Sequence, residues 1–374
     1  MNNYREIPDD DSFFDKIPLR SISYSIDRDD RLSDYQIRKK IDPETGKSDL
    51  YVLGKNAVGM IVYLATQNSV NRPVALWILR NERQDEVFLK RFFYDAEVTA
   101  HLEHPNIAPV YELGKTHDQK FFYTTKYIQG TPWDNTIRSN SIEENLEIFG
   151  KLCDAIAFAH SKDILHMDIK PDNVQLGEFG EVYAVDWGVA NDLKRPDSLL
   201  CAGTWQWISP EVARGEKSRI GKGSDIYLLG GILFQIVTGH HPRLPRDPSE
   251  KMPVEDLRNA AFKNIIQPTK CKDPLVAVAL KALATDPKDR YAKVKDLQDA
   301  IKSEQAKISV KLRTQRFKLL WNAFMVSLIL ATGIFGSLWL QSKQARQKET
   351  KKRDGAVTAR NEAVDAQHKE EIAK

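Results

Sequence analysis

The residues with the clearest chemical purpose form one run, His166-Met167-Asp168-Ile169-Lys170-Pro171-Asp172-Asn173, followed after 12 residues by Asp186-Trp187-Gly188. Transfer of a phosphoryl group from a nucleotide needs little covalent help from a protein. It needs an acceptor held in line, neutralised charge and bridging metal ions. A carboxylate can take or orient the acceptor's proton, while a second carboxylate and an amide oxygen supply hard ligands for Mg2+. Asp168 suits the first task as catalytic base, and Asp186 and Asn173 suit the second as metal ligands. Lys170 adds a cation for the γ-phosphate of ATP. Three matched polar positions in a loop rarely serve packing, so a purely structural reading of this set is poor.

Elements that could hold such a loop are legible on both sides of it. From Tyr51 the chain shows short β-type runs, YVLG, MIVYLA and VALWIL, separated by Gly, Asn and Pro. A helical stretch over 86–102 ends at His104-Pro105, and strand-like runs follow at 108–113 and 121–128. After residue 141 the periodicity is mostly helical. Ser141 can cap a helix whose Phe149, Leu152, Cys153, Ile156 and Ala157 share one face. Strands first and helices afterwards predict an α+β protein with a small β-rich lobe and a larger helical lobe. Residues 1–48, polar and Asp-rich, read as an extension with little structure of its own.

Over 374 residues, 41% hydrophobic and 29% charged side chains support a packed core and exclude global disorder. Net charge is only +3, too balanced to suggest a nucleic-acid binder. Cys153, Cys201 and Cys271 are far apart without a CxxC pair, so neither a disulfide framework nor a cysteine-rich zinc site is expected. The first residues lack the basic and apolar regions of a signal peptide.

Residues 319–340 carry no charge and, as a helix, span about 33 Å. Trp321 and Trp339 stand near the two ends, and Lys311, Arg313, Arg316 and Lys318 precede the segment as Lys343, Arg346 and Lys348 follow it. This predicts a span of the lipid bilayer, a basic linker at 303–318 before it and a charged helical tail at 341–374. Flanking charge is similar on both sides and does not orient the span. The missing signal peptide favours a cytoplasmic N-terminal part in a single-pass protein of the cell membrane. Small residues at Ala323, Ser327 and Ala331, and at Gly333 and Ser337, offer a row for a homodimer through the span, with a lone span as the alternative.

The motif set, in this order, resembles the eukaryotic-like Ser/Thr protein kinases, most of all the bacterial membrane-anchored type. The resemblance covers about residues 49–302, and Lys170 is its Ser/Thr signature. It implies a two-lobed fold, ATP and Mg2+ as cofactors, and protein substrates or partner proteins. Phe121–Gly130 resembles the hinge, with Thr125 as gatekeeper and Lys126 to Ile128 facing adenine beside Ala75. Gly203-Thr204 and Ser209-Pro210-Glu211 resemble the end of the activation segment that Gly188 opens. Asp225 resembles the helix anchor of the catalytic loop, and Arg290 the partner of Glu211.

The N-terminal part departs from this pattern wherever phosphates are normally gripped. The V-A-I-K run reads Val74-Ala75-Leu76-Trp77, with tryptophan at the lysine position. The helix glutamate falls on Asp95, since Glu97 is two positions on and lies on another face. The Gly-rich loop, aligned on Gly54 and Gly59, reads G-K-N-A-V-G; aligned without gaps, its glycine positions become Lys55, Ala57 and Met60. Met167 replaces the arginine that would pair with a phosphorylated activation loop, so control through Ser198 or Thr204 is less expected. Lys55 is the candidate replacement cation, because Arg80 points to the other strand face. Loss of one preorganised donor costs about 2.7–4 kcal/mol, or 10²–10³ in rate. Packing alone could account for Trp77, but it would not restore the cation. Cys201 reads as an inert thiol and His240-His241 as a loop without a metal role. The reading favours a weak membrane-anchored Ser/Thr kinase, with a pseudokinase scaffold as the alternative.

Overall fold

The computed structural model describes residues 31–32, 34–41, 48–55, 60–79, 86–115, 120–195, 199–244 and 252–372. It divides into two units, Met1–Glu304 and Gln305–Lys374.

The first unit opens with strands β1 (Arg31–Leu32), β2 (Tyr35–Ile37), β3 (Lys39–Ile41), β4 (Ser48–Leu50), β5 (Val52–Lys55), β6 (Met60–Gln67) and β7 (Arg72–Leu79). Helix α1 (Glu86–His101) and strands β8 (Val110–Lys115) and β9 (Phe121–Lys126) follow. The sheet runs β1-β2-β6-β7-β9-β8, and β5 also pairs with β6. Alternation divides β7 between two cores. Val74, Leu76 and Ile78 pack with Tyr35, Ile37, Ala65 and Phe122 on one side. On the other side Leu79 and Trp77 meet Met60, Tyr123 and the α1 residues Phe92, Phe93 and Ala96.

The expectation that residues 1–48 have little structure is corrected for the described part of that stretch. Tyr35 and Ile37 are buried, and β2 pairs antiparallel with β6, Tyr35 opposite Gln67 and Ile37 opposite Ala65. Between β2 and β5 the chain leaves the sheet as the hairpin β3–β4, with Lys39 opposite Leu50. Its base is closed by backbone bonds from Tyr51 to Arg38 and from Arg38 to Leu64, both 2.8 Å. Three residues of in-out alternation between an Asp-rich run and two lysines are too few to stand out as a strand. Residues 1–30 lie outside the described residues.

The second lobe continues with β10 (Gly130–Pro132), α2 (Ile142–Ser161), β11 (Ile164–Leu165), β12 (Val174–Gly177), β13 (Val182–Ala184) and β14 (Asn191–Asp192). Helices α3 (Pro210–Ala213), α4 (Lys222–Thr238), α5 (Val254–Lys263), α6 (Leu275–Ala282) and α7 (Val294–Ile372) complete the described elements. Ser141 starts α2 with a reciprocal cap. Its hydroxyl accepts from the Glu144 amide at 3.2 Å, and the Glu144 carboxylate accepts from the Ser141 amide at 2.7 Å. Helix α4 is apolar nearly all round and buried along its length, which makes it the lobe's central post. Gly230 permits that position, since a Cβ there would lie 2.6 Å from the Ala282 Cβ. The lobes are stitched behind α1. The Ala184 amide donates to the Asn106 carbonyl at 2.8 Å, and the Asn106 side-chain amide to the Val182 carbonyl at 2.9 Å.

Val294, Leu297 and Ile301 on the first turns of α7 are buried in the first unit. The second unit is helical through Ile372. Its apolar residues between Leu319 and Leu340 are exposed, and among the described residues this is the one helix long and apolar enough to cross a membrane.

Candidate active site

A cleft of about 450 Å³ lies between the lobes. Gly54, Val62, Ala75, Lys126, Ile128, Asn173 and Asp186 line it, as do Trp77 and Asp95. Sequence positions separated by more than 130 residues thus meet in one cavity, with Tyr51, Tyr123 and Trp187 as further aromatic walls.

The helical lobe supplies a closed polar network. The loop carrying Asp168 is hung from α4 by the buried Asp225 carboxylate, which accepts from the His166 amide at 2.9 Å, the Met167 amide at 2.8 Å and the His160 ring at 2.8 Å. Burial raises the Asp225 pKa, but the His160 hydrogen bond and nearby positive charge outweigh it and hold the group below the usual carboxylate range. Met167 takes a left-handed backbone, φ 70°, as does Asp186, φ 62°, so both sharp turns that present the catalytic set carry non-glycine residues.

Asp168 is held at both oxygens. Lys170 Nζ pairs with Oδ2 at 2.9 Å, and the Thr204 amide and hydroxyl donate to Oδ1 at 2.8 and 2.7 Å. Lys170 also donates to the Thr204 hydroxyl at 2.7 Å, so the three side chains form a triangle. Burial pushes the Asp168 carboxyl up, while Lys170 and the Thr204 hydroxyl bring it below its ordinary value. Asn173 donates its side-chain N–H to the Asp168 carbonyl at 2.9 Å and to Oδ2 at 3.1 Å. These bonds use the amide N–H and leave the amide oxygen as an acceptor. Thr204 is brought in by Gly203, φ 148°, whose substitution would set a Cβ 2.9 Å from the Met167 carbonyl.

Below this loop Glu211 and Arg290 form a bidentate pair, 2.7 Å at each arm, with both side chains essentially inaccessible. Ser224 donates to the same carboxylate at 2.7 Å. Burial raises Glu211, and the Arg290 hydrogen bonds and charge more than reverse it.

The sheet lobe builds its half of the cleft differently. Trp77 stands opposite Tyr123 in the β7–β9 register, and the rings stack at 5.4 Å and 10°. The indole N–H donates to the Thr125 hydroxyl at 3.0 Å. The Tyr123 hydroxyl donates to Asp95 at 2.7 Å. Asp95 is 1% exposed, and burial, followed by the Asp186 charge, pushes its carboxyl up to about 7 despite the Tyr123 bond. One turn earlier on α1, Arg91 donates to the carbonyls of Gly188 and Ala190, the latter at 3.0 Å. Tyr123 and Arg91 carry no motif signal; an aromatic at a strand position and an arginine on a helix are both ordinary. Only the strand register, which sets residue 77 against residue 123, could have indicated the first.

Gly54 lines the cleft with no protein atom within 4 Å of a Cβ built there, so packing does not demand glycine. Lys126 turns its side chain away from the cleft towards Tyr183, 2.5 Å from the hydroxyl, and leaves its backbone on the cleft side. Gly59, the Lys55 side chain, Arg80 and Ser198 lie outside the described residues.

These residues fit a nucleotide base and a divalent cation. Leu53, Val62 and Ala75 give an apolar slot beside the backbone of 126–128. Asp186 and Asn173 offer the few hard oxygens Mg2+ takes from a protein when phosphates and waters complete its shell. Among the described residues no group of three or more His, Cys, Asp or Glu side chains could hold a metal by itself.

A sheet lobe and a helical lobe that meet around a cleft of this composition define a protein-kinase-like fold class. A family profile described as "Protein kinase domain" matches residues 48–303, and the chain belongs to that family. It is similar to the serine/threonine-protein kinase PknD of Chlamydia muridarum, 32% identical over 297 residues, covering 67% of this chain and 30% of the relative. Proteins of the same name from Chlamydia felis and Chlamydia pneumoniae are 33% and 32% identical over 286 residues, with the same coverage of 67% and 30%. The chain thus spans about a third of the length of these relatives.

Proposed function

We propose that this chain is a membrane-anchored Ser/Thr protein kinase that moves the γ-phosphate of ATP to protein hydroxyls at a reduced rate. The observation that carries the reading is the Asp168–Lys170–Thr204 triangle, which favours the ionised carboxylate. Bound ATP with Mg2+ would supply the transferable group and the charge that neutralises it. Asp168 orients the acceptor hydroxyl and takes its proton, Lys170 faces developing negative charge, and Asp186 and Asn173 hold the cation. The slot formed by Ala75, Val62 and the backbone at Lys126 and Ile128 positions the base, with Gly54 at its edge; Gly59 and the Lys55 side chain, the other expected phosphate-side groups, lie outside the described residues. Residues 319–340 anchor the chain in the cell membrane, with the domain at 49–302 on the cytoplasmic side, a linker at 303–318 and a charged tail at 341–374. A homodimer through the span is consistent with its small residues.

Trp77 and Asp95 favour a second reading, a pseudokinase scaffold that binds partners without transfer. Label transfer from γ-labelled ATP with Mg2+ separates the two, using the full chain in detergent beside its Asp168→Asn variant. Transfer that the variant loses supports the enzyme; transfer no greater than the variant's supports the scaffold.

A further inference from the structure

Apolar packing holds a helix against a sheet by shape, and a hydrogen bond adds a directional constraint between two atoms. The α1 face built of Phe92, Phe93 and Ala96 packs on Met60, Leu79 and Tyr123. A directional link from α1 to the sheet is the Tyr123 hydroxyl on Asp95, 2.7 Å. We propose that Tyr123 is a positioning residue: its hydroxyl sets α1 for phosphoryl transfer, at the place where a lysine–carboxylate ion pair is lost with Trp77. The inference rests on the kinase reading above and adds how the chain manages without that pair.

Each part of the sheet-side wall serves this link. Trp77 stacks flat on Tyr123 and so restricts its ring, and Thr125 fixes Trp77 through the indole N–H. Residues 123 and 125 lie on one face of β9, so Thr125, Trp77, Tyr123 and Asp95 form a continuous chain from the hinge to α1. Phe92 lies 5.2 Å from the Tyr123 ring and closes its other flank. At i−4 from Asp95, Arg91 fastens the same helix to the carbonyls of Gly188 and Ala190, next to the metal-ligand candidate Asp186. Helix α1 is therefore clamped between the sheet and the Asp186-Trp187-Gly188 turn, and the sheet-side jaw is an uncharged donor.

The test uses the full chain in detergent and the variant Tyr123→Phe, which keeps the ring and removes only the hydroxyl. Label transfer to a protein substrate is expected to fall about tenfold in kcat, the scale of one buried hydrogen bond, with KM for that substrate within about twofold. Amide hydrogen exchange over 86–101 should accelerate by about the same factor while α4 stays unchanged. Asp95→Asn, which keeps an acceptor, should exceed Asp95→Ala by about tenfold in kcat, and Tyr123→Phe should add nothing in the Asp95→Ala background. Unchanged kcat and unchanged α1 exchange in Tyr123→Phe would overturn the proposal, as would a uniform rise in exchange across α1 and α4. If the parent chain transfers no label, the kinase reading fails, and α1 exchange alone decides whether Tyr123 holds the helix.

Discussion

The two walls of one cleft follow opposite designs. On the helical side three carboxylates are held by partners: Asp168 by Lys170 and Thr204, Glu211 by Arg290, Asp225 by two amides and His160. On the sheet side stand a stacked tryptophan and tyrosine and one carboxylate without a described cation pairing it. In the proposed reading the first wall would handle the acceptor and the metal, and the second would hold the nucleotide's phosphates. On that reading, acceptor activation and phosphate grip would be separable parts of a transfer site, with the first kept and the Trp77 position of the second rebuilt as packing.

The largest effect should come from the intact wall. Asp168→Asn removes proton acceptance and leaves Lys170 and Thr204 without their charged partner. A loss of about 10²–10⁴-fold in label transfer is expected, the range of general-base contributions. If transfer survived this change, the helical wall would not be the working half, and the comparison would break.

Next comes the pair beneath it. Arg290→Ala leaves the Glu211 carboxylate buried without a counter-charge, which costs about 3–5 kcal/mol. Thermal or denaturant unfolding of the first unit measures it, and a change under about 1 kcal/mol would mean that Glu211 is re-satisfied by Ser224 alone.

The sheet wall makes a pH prediction of opposite sign to the usual acidic residue. Asp95 keeps its proton up to about pH 7 when folded, against an ordinary 3.8 when unfolded. Between these values the folded state holds the extra proton, so stability falls as pH rises from about 4 to about 7 and levels off above. The cost amounts to about 4 kcal/mol at most. The groups facing Asp95 are the Tyr123 hydroxyl, the Asp186 carboxylate and Arg91. Asp95→Asn should remove this slope, as unfolding at pH 5, 6, 7 and 8 would record. Equal slopes for the two proteins would place the Asp95 titration outside this window.

Both walls were unequally legible in the sequence, for a physical reason. Asp168, Lys170, Asn173 and Asp186 act through fixed local spacing, so the loop announces itself. Glu211 and Arg290 are far apart but lie in recognisable motifs, and the structure joins them at 2.7 Å. The absence of lysine at Trp77 was equally plain. What replaced it was not, because Tyr123 and Arg91 act through strand register and helix placement that no local pattern encodes. The start of the sheet was hidden for a related reason. Tyr35 and Ile37 pair with β6 across a hairpin inserted after Arg38, and that interruption leaves an alternating run too short to read.

The smallest expected effect is the most instructive. Trp77→Lys restores the residue type of the family at β7, yet label transfer should rise less than about tenfold. The substitution breaks the stack on Tyr123 and the bond to Thr125, and so loosens the chain of contacts that reaches α1. The new ammonium would find Asp95 already engaged by Tyr123 and would have to compete with that bond to pair with it. Nucleotide affinity and label transfer measured together would sharpen the point. Tighter binding with little gain in transfer would mean that phosphate grip returned while the helix position was lost. A gain of about a hundredfold would instead mean that the aromatic wall is only packing, and that a single cation was all the site lacked.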